Sequence, residues 1–142
     1  MIVGFTGTQK GMTEEQRKVL DSLLMTEEAT EVHHGDCVGA DAELHDVAIN
    51  RGLNVVIHPP IREAKRAFCK DALLVTQQKS YLDRNKDIVD AAEVLIATPK
   101  EYTPQIRSGT WMTIRYAIQQ QKRVIIIYPD GDVNYSGRSK DD

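Results

Sequence analysis

Four short segments of the sequence carry hydroxyl or carboxylate side chains, three of them together with glycine, a composition typical of loops that bind phosphate. They are Gly7-Thr8, the turn 35–41, Thr98-Pro99 and Ser108-Gly109-Thr110. Glycine lets a ligand approach the backbone closely, N–H and hydroxyl groups bind phosphate oxygens, and carboxylates bind ribose hydroxyls. These residues therefore favour the binding of a nucleotide or a nucleotide derivative.

Ser108-Gly109-Thr110 opens a predicted helix and lies between two apolar strand patterns. The first N–H groups of a helix have no partner within it, and the helix dipole places partial positive charge at the same end. A phosphate can bind there. The same residue types also cap helices, so Ser108, Thr110, Asp36 and Asp41 have helix capping as an alternative role.

Five apolar runs rich in β-branched residues predict the strands that position these segments. They are residues 2–7, 30–34, 53–58, 93–97 and 124–128. Helical periodicity lies between them, and a capping box at Thr13 and Gln16 begins the first helix. The alternation predicts an α/β fold, a single Rossmann-like, doubly wound, mainly parallel five-stranded sheet with helices on both faces. We expect the four segments to meet at the carboxyl edge of this sheet, where such folds bind ligands.

Length and composition fit one domain with one core, since 41% of the 142 residues are hydrophobic. We predict a nucleotide-binding domain over residues 1–130 and a polar tail over residues 131–142. No apolar run approaches the roughly 20 residues that span a bilayer, and the first residues lack the basic start of a signal peptide. A cytoplasmic protein without membrane contact is therefore expected.

Charge and missing motifs exclude several function classes. The formal net charge of −3 argues against a protein that coats nucleic acid and fits a small ligand better. Neither a Walker A motif nor G-x-G-x-x-G is present, which disfavours a P-loop NTPase and a dinucleotide dehydrogenase. The adjacent His33 and His34 point to opposite faces of a strand, so no metal site is predicted and no cofactor is required. Cys37 and Cys69 lack metal-type spacing and are expected to be reduced thiols.

Basic residues recur at helical spacing in the segment between the third and fourth predicted strands. The spacing of Arg62, Arg66 and Lys70 predicts a short amphipathic helix with a basic face within residues 61–79. Such a face is either solvated or forms a basic wall beside an anionic ligand. The role of the segment from Ile61 to Lys70 stays open at this stage.

Two patterns resemble known families. Tyr81-x-x-Arg84-Asn85-x-x-Ile88-Val89, followed by Val94 to Ala97, Ser108-Gly109-Thr110 and Val124 to Pro129, resembles the Rossmann-type core of the DNA-processing protein Smf family. Gly35-Asp36-x-x-Gly39-Ala40-Asp41-x-x-x-His45 resembles that family's Gly-rich motif with its Gly-Ile-Asp and His. The same core is similar to LONELY GUY phosphoribohydrolases, and together these groups are called the SLOG superfamily. The resemblance covers roughly residues 1 to 130.

The resemblance implies a nucleotide site over the strand ends, with Arg84 as a phosphate clamp. The residues expected to bind the ligand or its phosphate are Gly7, Thr8, Gly35, Asp36, Gly39, Ala40, Asp41, Arg84, Asn85, Pro99, Ser108, Gly109 and Thr110.

The resemblance leaves open whether a reaction takes place. In LONELY GUY enzymes the helix-opening motif continues as Gly-Thr-x-x-Glu, and that glutamate works with an arginine in cleaving an N-glycosidic bond. Arg84 matches the arginine, but Thr113 occupies the glutamate position and has no carboxylate for acid/base work. A binding protein is favoured. The alternative is a hydrolase or transferase acting on nucleoside monophosphates, with Asp36, Asp41 or Glu43 as the carboxylate.

Two further expectations concern partners. Smf-family proteins bind single-stranded DNA, so the resemblance implies DNA binding as an additional alternative. The negative net charge of the chain makes this alternative less favoured. Related cores commonly pair into dimers, and Trp111 and Tyr116 are available for such a contact. A homodimer is therefore expected.

Overall fold

A seven-stranded sheet forms the middle layer of the protein, which a computed structural model describes over residues 1–137. The strands are β1 (Ile2–Gly7), β2 (Glu31–His34), β3 (Asn54–Ile57), β4 (Leu74–Val75), β5 (Val94–Thr98), β6 (Arg123–Ile127) and β7 (Val133–Ser136). The helices are α1 (Glu14–Thr26), α2 (Ala40–Asn50), α3 (Tyr81–Ala91) and α4 (Gly109–Gln119). The sheet order is β4-β3-β2-β1-β5-β6-β7, in which β6 and β7 are antiparallel and the other pairs are parallel. The mainly parallel α/β class is confirmed.

The sheet has seven strands rather than the predicted five, because a short strand joins each edge. β4 pairs with β3 through two residues alone, too short a run to stand out in the sequence. β7 pairs with β6 inside the segment predicted as a polar tail, and its middle side chains, Asn134 and Tyr135, are exposed. Main-chain pairing rather than side-chain burial makes both segments strands. Residues 138–142, the end of the predicted tail, lie outside the described residues.

Helices cover both faces of the sheet and create two hydrophobic cores. Leu24 of α1 and Leu44 of α2 are buried in one core, and Trp111 and Ile114 of α4 are buried in the other. The five central strands contribute almost only buried residues, as expected for strands covered on both sides. None of the helices in residues 1–137 is long and apolar enough to cross a membrane.

The buried amide of Gln16 fastens the start of α1 to the ends of two strands. The predicted capping box is confirmed, since the side chains of Thr13 and Gln16 each accept a hydrogen bond from the other's N–H. The Gln16 Nε2 amide also donates to the carbonyl of Pro99, at 2.8 Å, and to that of Ile127, at 2.9 Å. The loop after β5 is thereby held against α1.

The basic segment 61–79 is not the amphipathic helix that its spacing predicts. Its main chain makes hydrogen bonds with the turn after β2: Val38 N–H donates to the Lys65 carbonyl, and Ala67 N–H donates to the Asp36 carbonyl. Phe68 adopts a left-handed φ of 56°, a conformation that no helix tolerates. These contacts to a distant part of the chain override the local helical pattern.

Candidate functional site

A cleft of about 950 Å³ opens at the carboxyl ends of the central strands. β1 lies between β2 on one side and β5 on the other, so the chain winds outward in both directions from it. Ligand sites of doubly wound sheets lie at this switch point. The volume falls in the range of small-molecule sites. The end of β1, the turn after β2, the first half of α3, the loop after β5 and the start of α4 line the cleft.

The N-terminus of α4 supplies the cleft with unpaired backbone donors. The Ser108 hydroxyl caps the helix by accepting the Trp111 N–H at 3.2 Å. The N–H groups of Gly109 and Thr110 find no acceptor within residues 1–137. A Cβ on Gly109 would meet no other atom within 4 Å, so packing does not require glycine there. Capping and anion binding are therefore compatible at this turn, because they use different groups.

Arg84 lies beneath the cleft, with 4% of its surface exposed. Its Nη1 donates to the carbonyls of Gly35 and His58, and its Nη2 donates to the Cys37 thiol at 3.7 Å. Its Nε has no hydrogen-bond partner among residues 1–137. A Cβ on Gly35 would overlap the guanidinium, so glycine is required for Arg84 to occupy this position. The result is a buried positive charge with one free donor in the wall of the site.

Asp41 is a buried carboxylate in the same cleft. Its Oδ2 accepts the N–H groups of Gly35 and Cys37, each at 3.2 Å. Burial raises the pKa of Asp41 to about 6, against the opposing effects of the Arg84 charge and the two N–H groups. The group thus titrates close to neutral pH, as acid/base residues in active sites often do.

Three exposed cations surround the opening and were not identified from the sequence. Lys10, Lys100 and Arg107 line the cleft together with Arg84, which gives it four cationic side chains. Only two carboxylates, those of Asp41 and Glu101, are among the lining residues. A cleft with this excess of positive charge, in a chain of net charge −3, is suited to an anionic ligand. Their positions in the sequence could have indicated them, because each lies within two residues of Thr8, Pro99 or Ser108.

The loop 100–108 forms one wall of the cleft and is held by α4. Arg115 donates to the carbonyls of residues 105 and 106, each at 3.2 Å. The Trp111 indole N–H donates to Glu101 Oε1 at 3.1 Å. These three hydrogen bonds attach the loop to α4.

The positions of Trp111 and Tyr116 bear on the expected dimer interface. Trp111 is only 3% exposed, so it packs in the core and is not available to a partner. Tyr116 donates its hydroxyl to Asp90 at 2.8 Å. The homodimer itself stays a prediction.

The structure brings nine of the expected site residues to the cleft and places four elsewhere. Those lining it are Gly7, Thr8, Gly35, Asp41, Arg84, Asn85, Ser108, Gly109 and Thr110. Gly39 and Ala40 pack against the loop after β1, and the Pro99 carbonyl is taken by Gln16. Asp36 is fully buried and turned away, accepting hydrogen bonds from Arg66 Nε and the Cys69 N–H, both at 2.9 Å. Burial opposes ionisation of Asp36, but these two bonds outweigh it and lower its pKa.

Thr113 and Glu43, the other residues considered for a reaction, do not line the cleft. The buried Thr113 hydroxyl donates to the Gly109 carbonyl at 2.8 Å. Glu43 accepts the Met12 N–H and pairs with Arg17, which anchors the loop after β1. Asp41 is therefore the one carboxylate candidate of the sequence analysis that reaches the cleft.

Comparisons with known proteins find this fold in solved structures of low sequence identity. A molybdenum cofactor binding protein from the phototrophic bacterium Rippkaea orientalis has a TM-score of 0.68 at 21% identity, over 89% of this chain and 76% of that one. The structural genomics target TM1055 has a TM-score of 0.65 at 19% identity, over 87% and 71% of the two chains. DNA processing protein A (DprA) from Streptococcus pneumoniae has a TM-score of 0.66 at 16% identity, over 87% of this chain and 49% of its own length.

No protein-family model matches the sequence, and no curated protein matches it either. At these identities the structural neighbours establish the fold alone. They confirm the Rossmann-like fold that the order and spacing of the motifs predict.

Proposed function

We propose, from the premise that this chain has a Rossmann-like fold, that it binds a nucleotide or a nucleotide-derived ligand in the cleft. The observation that carries the proposal is the meeting of the free α4 N-terminus with the buried Arg84 and three exposed cations in one cleft. An anion bound there gains charge-assisted hydrogen bonds in a partly desolvated site.

The rest of the cleft supports a nucleotide over a simple anion. Its volume of about 950 Å³ exceeds what a phosphate alone needs. Apolar side chains also line it, among them Tyr81, Leu82, Ile106 and Met112, which offer contact surface to a nucleobase. Thr8 and Asp41 provide polar groups for a ribose.

Isothermal titration against mono-, di- and cyclic nucleotides tests this proposal. We expect at least one nucleotide to bind, and Gly109→Ala to weaken its binding about tenfold or more, because a methyl group there obstructs approach to the free N–H groups. The melting temperature should not fall, since nothing in the protein contacts that methyl group. Absence of binding across the panel at millimolar concentration would contradict the proposal.

A matched pair of lysine variants separates local charge from net charge. Lys10→Gln removes a cation of the cleft, whereas Lys18→Gln removes an exposed cation on α1 that lies outside it. Only the first variant should weaken nucleotide binding. An oligodeoxythymidine in the same panel tests the single-stranded DNA alternative, which predicts binding that weakens with salt.

N-glycoside hydrolysis of nucleoside monophosphates is a second candidate function, favoured by Asp41 alone. Its carboxyl group lies in the cleft with a pKa raised to about 6 by burial, which suits a general acid or base. Incubation with AMP and other nucleoside monophosphates should then release free base, detectable by chromatography.

Two variants on the same helix control the hydrolase experiment. Asp41→Asn should lower the rate about a hundredfold or more. Asp46→Asn, an exposed aspartate of α2 outside the cleft, should leave it unchanged. If no base is released, the cleft binds its ligand without cleaving it. If both variants retain the rate, Asp41 is not the catalytic carboxylate.

A further inference from the structure

A cluster of two imidazoles and one thiol lies apart from the cleft, on the α2 face of the sheet. We call it the His34 cluster; its members are His34 at the end of β2, His45 on α2 and Cys69 in the segment before β4. The nearest nitrogen and sulfur atoms of the three side chains all lie within 4.8 Å of one another. Both histidines are buried, and Cys69 is partly exposed.

The side chains of His33 and His34 point to opposite faces of β2, as the alternation along a strand predicts. His33 points to the opposite face, where its Nδ1 lies 2.8 Å from Nε2 of His58. The other ligands for His34 come from elsewhere in the chain: α2 contributes His45, and the irregular segment contributes Cys69. Their convergence depends on the tertiary fold, so spacing along the sequence does not show it.

Hydrogen bonds fix the ring orientations of both histidines. The Asp36 N–H donates to His34 Nδ1 at 2.9 Å, so His34 carries its proton on Nε2. That Nε2 lies 3.0 Å from His45 Nδ1, and His45 Nε2 lies 2.6 Å from the Lys70 carbonyl. His45 therefore presents an unprotonated Nδ1 toward the cluster, with its other nitrogen bonded to a carbonyl, the arrangement found in metal-ligating histidines.

A second cavity gives access to the cluster from solvent. It has a volume of about 540 Å³ and is lined by His45 and Cys69 together with Asp46 and Asp71. Lys70 also lines this cavity, so two carboxylates and one ammonium group surround the entrance. The cavity leaves room for a water as a fourth ligand. Two nitrogens, one sulfur and one open position match the preference of Zn²⁺ for tetrahedral nitrogen and sulfur ligands.

We propose that His34, His45 and Cys69 form a reversible binding site for Zn²⁺. Binding displaces the proton on His34 Nε2 and the thiol proton of Cys69, since a coordinating thiol is deprotonated outright. If the His34 proton moves to Nδ1, the Asp36 N–H bond to that atom is lost. Because every ring nitrogen of His34 and His45 already has a hydrogen-bond partner without metal, the protein does not need Zn²⁺ to fold.

Cobalt substitution tests the proposal on the intact chain. Metal-free protein titrated with Co²⁺ should develop one equivalent of tetrahedral ligand-field absorption and a thiolate-to-cobalt band, and Zn²⁺ should displace both. Cys69→Ser should lose the thiolate band, and His45→Gln should weaken Zn²⁺ binding about a hundredfold or more in calorimetry. The melting temperature in a chelator confirms that each variant folds.

Cys37→Ser and His33→Gln are the matched controls, because each removes the same chemical group from outside the cluster. Both should keep the cobalt spectrum and the Zn²⁺ affinity of the unmodified protein. The proposal is overturned if that protein gives no thiolate band, if Cys69→Ser retains the band, or if the controls lower the affinity as much as the cluster variants do.

Discussion

Gly35→Ala should destabilise the protein by about 3 kcal/mol or more. The added Cβ would overlap the buried guanidinium of Arg84. Arg84 would have to leave its position, and the carbonyls of Gly35 and His58 would lose their charged donor. Urea denaturation followed by circular dichroism measures the change in the free energy of unfolding.

Gly109→Ala is the matched control for Gly35→Ala, because both glycines line the same cleft. A Cβ at Gly109 meets nothing within 4 Å, so the free energy of unfolding should change by less than about 0.5 kcal/mol. The two variants thus separate the two uses of glycine in one site, room for a protein side chain and room for a ligand. Equal stability of the two variants would show that Arg84 does not occupy the wall of the cleft.

Two buried histidines should reduce the stability of the protein as the pH falls below 6.5, and His34 should contribute more than His58. Asp41, whose pKa is raised to about 6, acts in the opposite direction when it takes up a proton. Burial and the neighbouring His45 lower the pKa of His34 from 6.5 to about 3, and burial and His33 lower the pKa of His58 to about 4. The unfolded chain takes up these protons near pH 6.5, whereas the folded chain does not. Stability present above pH 6.5 is therefore lost progressively as the pH approaches 4 for His58 and 3 for His34.

His34→Asn tests this loss and keeps one of the two hydrogen bonds of the ring, since the bond between Nε2 and His45 Nδ1 is removed. The Asn side-chain oxygen can accept the Asp36 N–H in place of Nδ1, and it does not titrate. Between about pH 7.5 and pH 4.5 the variant should lose roughly 3 kcal/mol less than the unmodified protein in urea denaturation. His58→Gln should show a smaller difference of the same sign. A His34→Asn variant with the slope of the unmodified protein would falsify the assignment.

The main elements of the fold were predictable because local sequence determines them. Apolar runs mark the five central strands, and the capping box marks the start of α1. β7 was not predictable, since it is short, its middle residues Asn134 and Tyr135 are exposed, and it pairs through the main chain with β6. The segment 61–79 was predicted wrongly because its hydrogen-bond partners lie in the turn after β2, some 30 residues away in sequence.

The candidate site shows the same division between local and distant information. The glycine and hydroxyl residues of the loops could be found from the sequence, because strand ends converge by topology. The orientation of Asp36 away from the cleft could not be predicted from the sequence, since it depends on hydrogen bonds from Arg66 and Cys69. The contact between Gly35 and Arg84 likewise joins residues 49 positions apart.

The two amide hydrogen bonds of Gln16 have a consequence for the order of folding. They join α1 to carbonyls 83 and 111 residues further along the chain, so they form only after most of the sequence has been organised. During synthesis, the bond to Pro99 cannot form before the loop after β5 has been made, and the bond to Ile127 cannot form before β6 has been made. The wall of the cleft is among the last parts of the molecule to be completed.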